Sequence, residues 1–207
     1  NKSISSLIKC PGNYCRFTSL GLLFTLISMV IFEIGVYFIS KKGMNGSSIT
    51  LNTSKLNFYI LPGIVSCMAI AISEEIWFRS VLLKYIHSCS KNVILSVLIA
   101  SAFFALFHTN HDLSVKISDF LIGIFLSVLV LRLNSIEYGI GIHFMWNLYS
   151  SYIVGYEPWS LMKCAYFLTD KYYYPIHVLI KILIIILIMI VLTKIFKTSS
   201  SLINQNK

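Results

Sequence analysis

Apolar stretches long enough to cross a bilayer follow one another along almost the whole chain. A helical crossing takes about 20 apolar residues. Residues 17–40 supply such a run with Glu33 as their one charge, and residues 182–192 contain no polar side chain at all. Further runs occupy 92–108, 115–133 and 136–153. From residue 58 the apolar pattern continues through Glu74, Glu75 and Arg79 without a loop signal, which predicts one long helix over about 61–87. In lipid every backbone polar group must be satisfied internally, and runs of this length do so as helices. The expected fold is therefore all-α, a polytopic transmembrane bundle of about six helices. The last helix spans 176–196, and the chain 1–207 forms a single domain.

Composition excludes the main alternatives. Of 207 residues, 57% are hydrophobic and 12% charged, against about 25% charged in a soluble domain. So little charge cannot coat a soluble surface, which argues against a soluble enzyme, a disordered tail or a DNA-binding domain. The net charge of +9 comes from Lys and Arg placed singly or in pairs between the apolar runs. That placement suits anchoring to anionic lipid headgroups, so membrane lipid is an expected partner and nucleic acid is not. With six crossings both termini share a side, and that side carries ten Lys and Arg against seven. The tally favours cytoplasmic termini. Five cysteines, an odd number without a C-x-x-C pair, give no disulfide framework. Segments 1–16 and 41–57 read as polar connections. The mix of Trp159, Tyr172, Tyr173 and Tyr174 with charge in 155–175 reads as an aromatic belt at the headgroup level.

Ionisable groups within such runs cost about 2.5–3.5 kcal/mol each on insertion scales, so their positions carry information. Three clusters stand out, each with a four-residue step that puts both members on one helical face. In Glu74-Glu75-x-x-x-Arg79, Arg79 can pair with Glu75, leaving Glu74 about 100° away around the helix and free for acid–base work. Phe104-x-x-x-His108 closes the third run. His143-x-x-x-Asn147 lies inside the fifth, just after Gly139 and Gly141, whose lack of side chains lets another helix approach closely. Together these supply a carboxylate, two imidazoles, an amide and an Arg–Glu clamp. A carboxylate beside a neutral His can take a proton from water. A second His and an Asn can donate to an oxyanion. The same residues have plainer readings. Glu75 and Arg79 could be a solvated pair where a helix leaves the membrane, His108 an interfacial residue, and His143 and Asn147 interhelical hydrogen-bonders. His111, next to Asp112, reads as loop. Glu33 could line a cavity or reach water, and His177 and Lys181 are expected to snorkel.

At these residues the chain resembles the CPBP family of intramembrane endopeptidases, the CAAX proteases and bacteriocin-processing enzymes also called the Abi family. The family pattern is EExxxR, FxxxH and HxxxN on successive helices. Here it reads Glu74-Glu75-Ile76-Trp77-Phe78-Arg79, Phe104-Ala105-Leu106-Phe107-His108 and His143-Phe144-Met145-Trp146-Asn147. The motif region covers residues 73–147, and the flanking helices match in hydropathy alone. The family often has Gly after the Arg, where this chain has Ser80, a small-for-small change.

The resemblance implies a role for each matched position. Glu74 and His108 activate the attacking water, Glu75 and Arg79 hold the helix and its carboxylates, and His143 and Asn147 stabilise the tetrahedral intermediate. Phe104 packs beside them. Members have been described both as metalloproteases and as metal-independent glutamate proteases. If zinc is bound, its ligands are Glu74, His108 and His143. The zinc-protease H-E-x-x-H helix is absent and the two His lie on different helices, which favours chemistry without a cofactor. Implied substrates are peptides or membrane proteins: a bacteriocin or pheromone precursor, or a CAAX-like terminus. The short chain points to the bacterial, peptide-directed kind, in the plasma membrane and linked to bacteriocin self-immunity. A non-proteolytic immunity or peptide-binding protein on the same fold is the alternative. A small transporter finds no support from repeats or paired broken helices. Oligomeric state is not encoded in these motifs.

Overall fold

The computed structural model describes residues 11–43, 49–51, 56–133, 135–153, 162–164, 177–187 and 190. Its elements are α1 (Pro11–Gly43), β1 (Ile49–Leu51), α2 (Leu56–Glu75), a π-helical stretch (Ile76–Leu82) and α3 (Leu83–Ser90). Then come α4 (Val93–Phe107), α5 (Leu113–Leu133), α6 (Glu137–Leu148), a π-helical turn (Tyr149–Ile153) and β2 (Met162–Cys164). The final helix is α7 (His177–Leu187). Because α2, the π stretch and α3 run on without interruption, these make six rods. The fold is all-α, as expected. Phe17–Gly35, Ile60–Ser90 and Leu113–Leu133 are long and apolar enough to cross a membrane, whereas Val93–Phe107 and His177–Leu187 are shorter.

Three boundaries differ from the sequence expectation. Helix α1 begins at Pro11 rather than at 17, because proline suits the first helical position, where its missing N–H has no partner to lose. Helix α2 begins at Leu56 rather than near 61 and carries Pro62 inside it, which packed membrane helices tolerate. The expected connection 41–57 holds β1, and the expected interfacial segment 155–175 holds β2. These pair antiparallel with Ile49 opposite Cys164 and Leu51 opposite Met162. Trp159 and Tyr172–Tyr174 of the expected aromatic belt lie outside the described residues.

The core is organised around α6. All its residues except Tyr138 and Asn147 are buried, and it packs against α1 on one side and α2 on another. Small residues make this possible. A Cβ on Gly141 would collide with the Thr18 carbonyl of α1, and one on Gly21 with the Tyr138 carbonyl of α6. A Cβ on Gly139 would stand 2.9 Å from Glu75 Oε2. Met29, Ala71, Leu126, Ile142, Phe144 and Ile185 fill the space between the rods. Large apolar side chains on the opposite faces, Leu61, Trp77, Ile94 and Leu113 among them, point outward, as lipid-facing positions require.

Helix ends are fixed locally. The two-residue turn from α3 to α4 uses Lys91 in the left-handed region (φ 54°) with its N–H on the His87 carbonyl. The Asn92 side chain accepts from the Leu95 N–H at 3.1 Å, capping α4. Asp112 caps α5 the same way, accepting from Val115 N–H at 3.0 Å. Buried hydroxyls bond to their own helices, as Thr25 does to the Gly21 carbonyl and Ser101 to that of Val97. Each leaves no orphan in an apolar setting.

Candidate active site

Glu74 and Glu75 end α2, and the wider π-helical turns begin at the next residue. Such turns re-aim the side chains that follow them and often sit at functional sites. Here three consecutive residues, Phe78, Arg79 and Ser80, are all buried. Burial of Ser80 explains why a small side chain stands at that position.

The two carboxylates have different surroundings. Glu75 is fully buried. Its Oε1 lies 3.1 Å from Arg79 Nη1 and 2.9 Å from His143 Nδ1. Arg79, also buried, has its guanidinium carbon 4.4 Å from the Phe104 ring centre, so the cation is held by a carboxylate and an aromatic face together. Glu74 points elsewhere, as the helical spacing predicted. Its Oε2 lies 3.6 Å from His143 Nε2 and 3.9 Å from His108 Nε2.

Hydrogen-bond partners assign the tautomers. His108 Nδ1 is 2.9 Å from the Phe104 carbonyl oxygen. A carbonyl only accepts, so Nδ1 carries a proton, and in the neutral form of the ring Nε2 is bare toward Glu74. The carboxylate of Glu75 does the same for His143. With both rings neutral, Glu74 Oε2 and the Nε2 atoms of His108, which caps α4, and of His143 on α6 meet as three acceptors. Such a group binds what can donate to it, a water molecule or a cation. The backbone carbonyl and the Glu75 carboxylate behind the two rings are the usual supports of a reactive or ligating His. Among the described residues, however, no three His, Cys, Asp or Glu side chains are arranged closely enough to form a metal site.

Asn147 is half-buried on α6 and lines the same cavity as Glu74, His108 and His143, a space of about 560 Å³. A second hollow of about 690 Å³ adjoins it, walled by Ile70, Trp77, Phe78, Val81, Tyr85 and Phe107. Glu74 lines both. It stands where a polar cavity meets an apolar groove. All six residues singled out by spacing are thus gathered around one place: Glu74, Glu75, Arg79, His108, His143 and Asn147.

Residues 56–149 match the family model for Rce1-like proteins, the type II CAAX prenyl endopeptidases. Over that segment the chain is similar to the Rce1-like family. The match contains all three motifs and leaves α1 and α7 outside. No curated protein and no solved structure matches the chain. A segment similar to CAAX endopeptidases and three membrane-length helices together point to a membrane protein.

Two neighbours escaped the spacing argument. His111 does lie in a loop, but its ring stacks on His108 at 4.9 Å, and its Nδ1 is 2.7 Å from Asp119 Oδ2. Asp119 is the one acidic residue of the α5 span, and an acid within an apolar run was the signal that could have found it. Glu137, fully buried at the start of α6, accepts a hydrogen bond from the Ser135 hydroxyl. Glu33 does not line the cavity. It pairs with Lys181 of α7 at 3.5 Å, so Lys181 reaches a partner rather than snorkelling out.

Proposed function

We propose that the chain, acting as one unit, is an intramembrane endopeptidase that hydrolyses a peptide bond beside Glu74. The observation that carries this reading is the meeting of Glu74 Oε2 with the bare Nε2 atoms of His108 and His143. They come from the end of α4 and from α6, and meet where the polar cavity joins the apolar groove. A water there donates to Glu74 and His108; Glu74 takes its proton as the oxygen attacks the carbonyl carbon, and passes that proton to the amine nitrogen as the C–N bond breaks. Glu75 and Arg79 hold that end of α2 against α6. Asn147 donates its side-chain N–H to the developing oxyanion. His143 can join it only with both nitrogens protonated, because Nδ1–H already serves Glu75. The carboxylate of Glu75 then balances the imidazolium.

The substrate is read from the two hollows. A peptide whose apolar residues or tail lie in the groove places the adjoining bond over Glu74. A bacteriocin or pheromone precursor, or a CAAX-like terminus, has that form, and self-immunity is the biological role we infer. From the ten-to-seven Lys and Arg tally we infer cytoplasmic termini, and from the family resemblance a bacterial plasma membrane.

The experiment compares wild type with Glu74→Gln at matched expression in the native host, reading released peptides and new protein termini by mass spectrometry. Termini should appear with wild type and fall about 10²–10⁴-fold with Glu74→Gln. Identical termini from two folded proteins would move the reading to a peptide-binding immunity protein. We read the chemistry as metal-independent, so 1,10-phenanthroline leaves cleavage unchanged. Loss of cleavage restored by zinc would instead make Glu74, His108 and His143 ligands, with the ion polarising the carbonyl.

A further inference from the structure

His108 is not held by a helix. It follows the last residue of α4 with φ −79° and ψ 70°, where the chain leaves helical geometry and turns toward α5. A side chain at such a position can swing unless its neighbours fix it, and a reacting group must be fixed closely to be useful. The Phe104 carbonyl sets the tautomer and the Phe104 ring meets the imidazole edge-on at 4.9 Å. The remaining aromatic contact is the face of His111, centroids 4.9 Å apart and planes within 22°.

His111 has its own anchor. Its backbone N–H donates to the His108 carbonyl at 3.2 Å, which closes the loop between the two rings. Its Nδ1–H donates to Asp119 at 2.7 Å. Asp119 is buried on α5, which packs along α4. A carboxylate in an apolar helix is costly unless it is partnered, and here the partner is the ring that covers His108. Both residues line the cavity, and among the described residues His111 pairs with Asp119 and not with Glu74.

We propose that Asp119 and His111 are positioning residues for His108: the carboxylate anchors the His111 ring, whose face keeps His108 Nε2 aimed at Glu74. The role given to His108 rests on the endopeptidase reading above, so the test includes a readout that needs no substrate. Full-length protein in detergent is treated with diethyl pyrocarbonate, and modification of His108 is followed by peptide mass spectrometry. His111→Ala and Asp119→Leu should each speed modification about fivefold, the scale of one aromatic contact. Asp119→Asn keeps an acceptor oxygen and should restore a rate within about twofold of wild type. The double variant should be no faster than His111→Ala alone, since both act through one ring.

Equal rates for wild type and His111→Ala would overturn the proposal, as would single effects that multiply in the double variant. If thermal melting shows that Asp119→Leu does not fold, Asp119→Asn decides: a rate equal to that of His111→Ala overturns the proposal. The host termini defined by Glu74→Gln should fall in the same order across the variants. If Glu74→Gln removes no terminus, the endopeptidase reading fails and the modification rates alone judge the positioning.

Discussion

Among the described residues, two pairs of a carboxylate with a Lys or Arg lie within apolar helices, and they differ in what surrounds them. Glu33 and Lys181 join α1 to α7 at 3.5 Å, with the ammonium 4.7 Å from the Phe32 ring. Glu75 and Arg79 join two levels of one rod at 3.1 Å, with the guanidinium 4.4 Å from Phe104. Each is a carboxylate, a cation and an aromatic face. In the first, His177 meets the same Phe32 ring edge-on at 5.2 Å but, among the described residues, makes no ion pair with Glu33. In the second, His143 arrives from α6 on the same carboxylate oxygen, and a free carboxylate, Glu74, sits one residue away. An ion pair in a membrane therefore marks helix packing as readily as chemistry. What distinguishes a reactive place is the further polar group, held by the pair but not neutralised by it.

The comparison can be broken by removing one partner from each pair. The largest effect is expected at Arg79→Ala, which leaves Glu75 charged and dry and should cost about 3–5 kcal/mol. Abundance and melting temperature in detergent should both fall. Equal values for wild type and Arg79→Ala would show that the clamp contributes nothing to the fold. A smaller effect is expected at Lys181→Met, since each member of that pair keeps some exposure (17% and 15%). The loss should be about 1–3 kcal/mol, with the host termini that depend on Glu74 still produced by whatever protein folds. Disappearance of those termini at normal abundance would place α7 in the reaction and dissolve the contrast between the two pairs.

Much of this arrangement is legible along the chain because each piece is encoded within one helix. The spacing of Glu75 and Arg79, of Phe104 and His108, and of His143 and Asn147 fixes which side chains share a face. Gly139 and Gly141 announce close approach, and both are used, one against Glu75 and the other against α1. What stays hidden depends on contacts between elements. Asp119 looks like an isolated acid until the loop folds His111 back onto it. Glu33 meets a lysine 148 residues further on. The β1–β2 pairing joins two three-residue segments too short to carry a strand pattern of their own. The π-helical stretch leaves no periodic trace, because its residues are as apolar as those of an ordinary helix.

The position of Glu74 between a polar cavity and an apolar groove has a consequence for selectivity. A molecule lying across it has its two ends in different solvents, so part of its discrimination is a partition coefficient rather than a fit. Each additional methylene accommodated in the groove is worth about 0.8 kcal/mol, or roughly a fourfold gain in occupancy. On the endopeptidase reading, chain length at one end of a substrate then acts as a dial on turnover at low concentration. A family of peptides with identical residues at the cleaved bond could be ranked by greasiness alone.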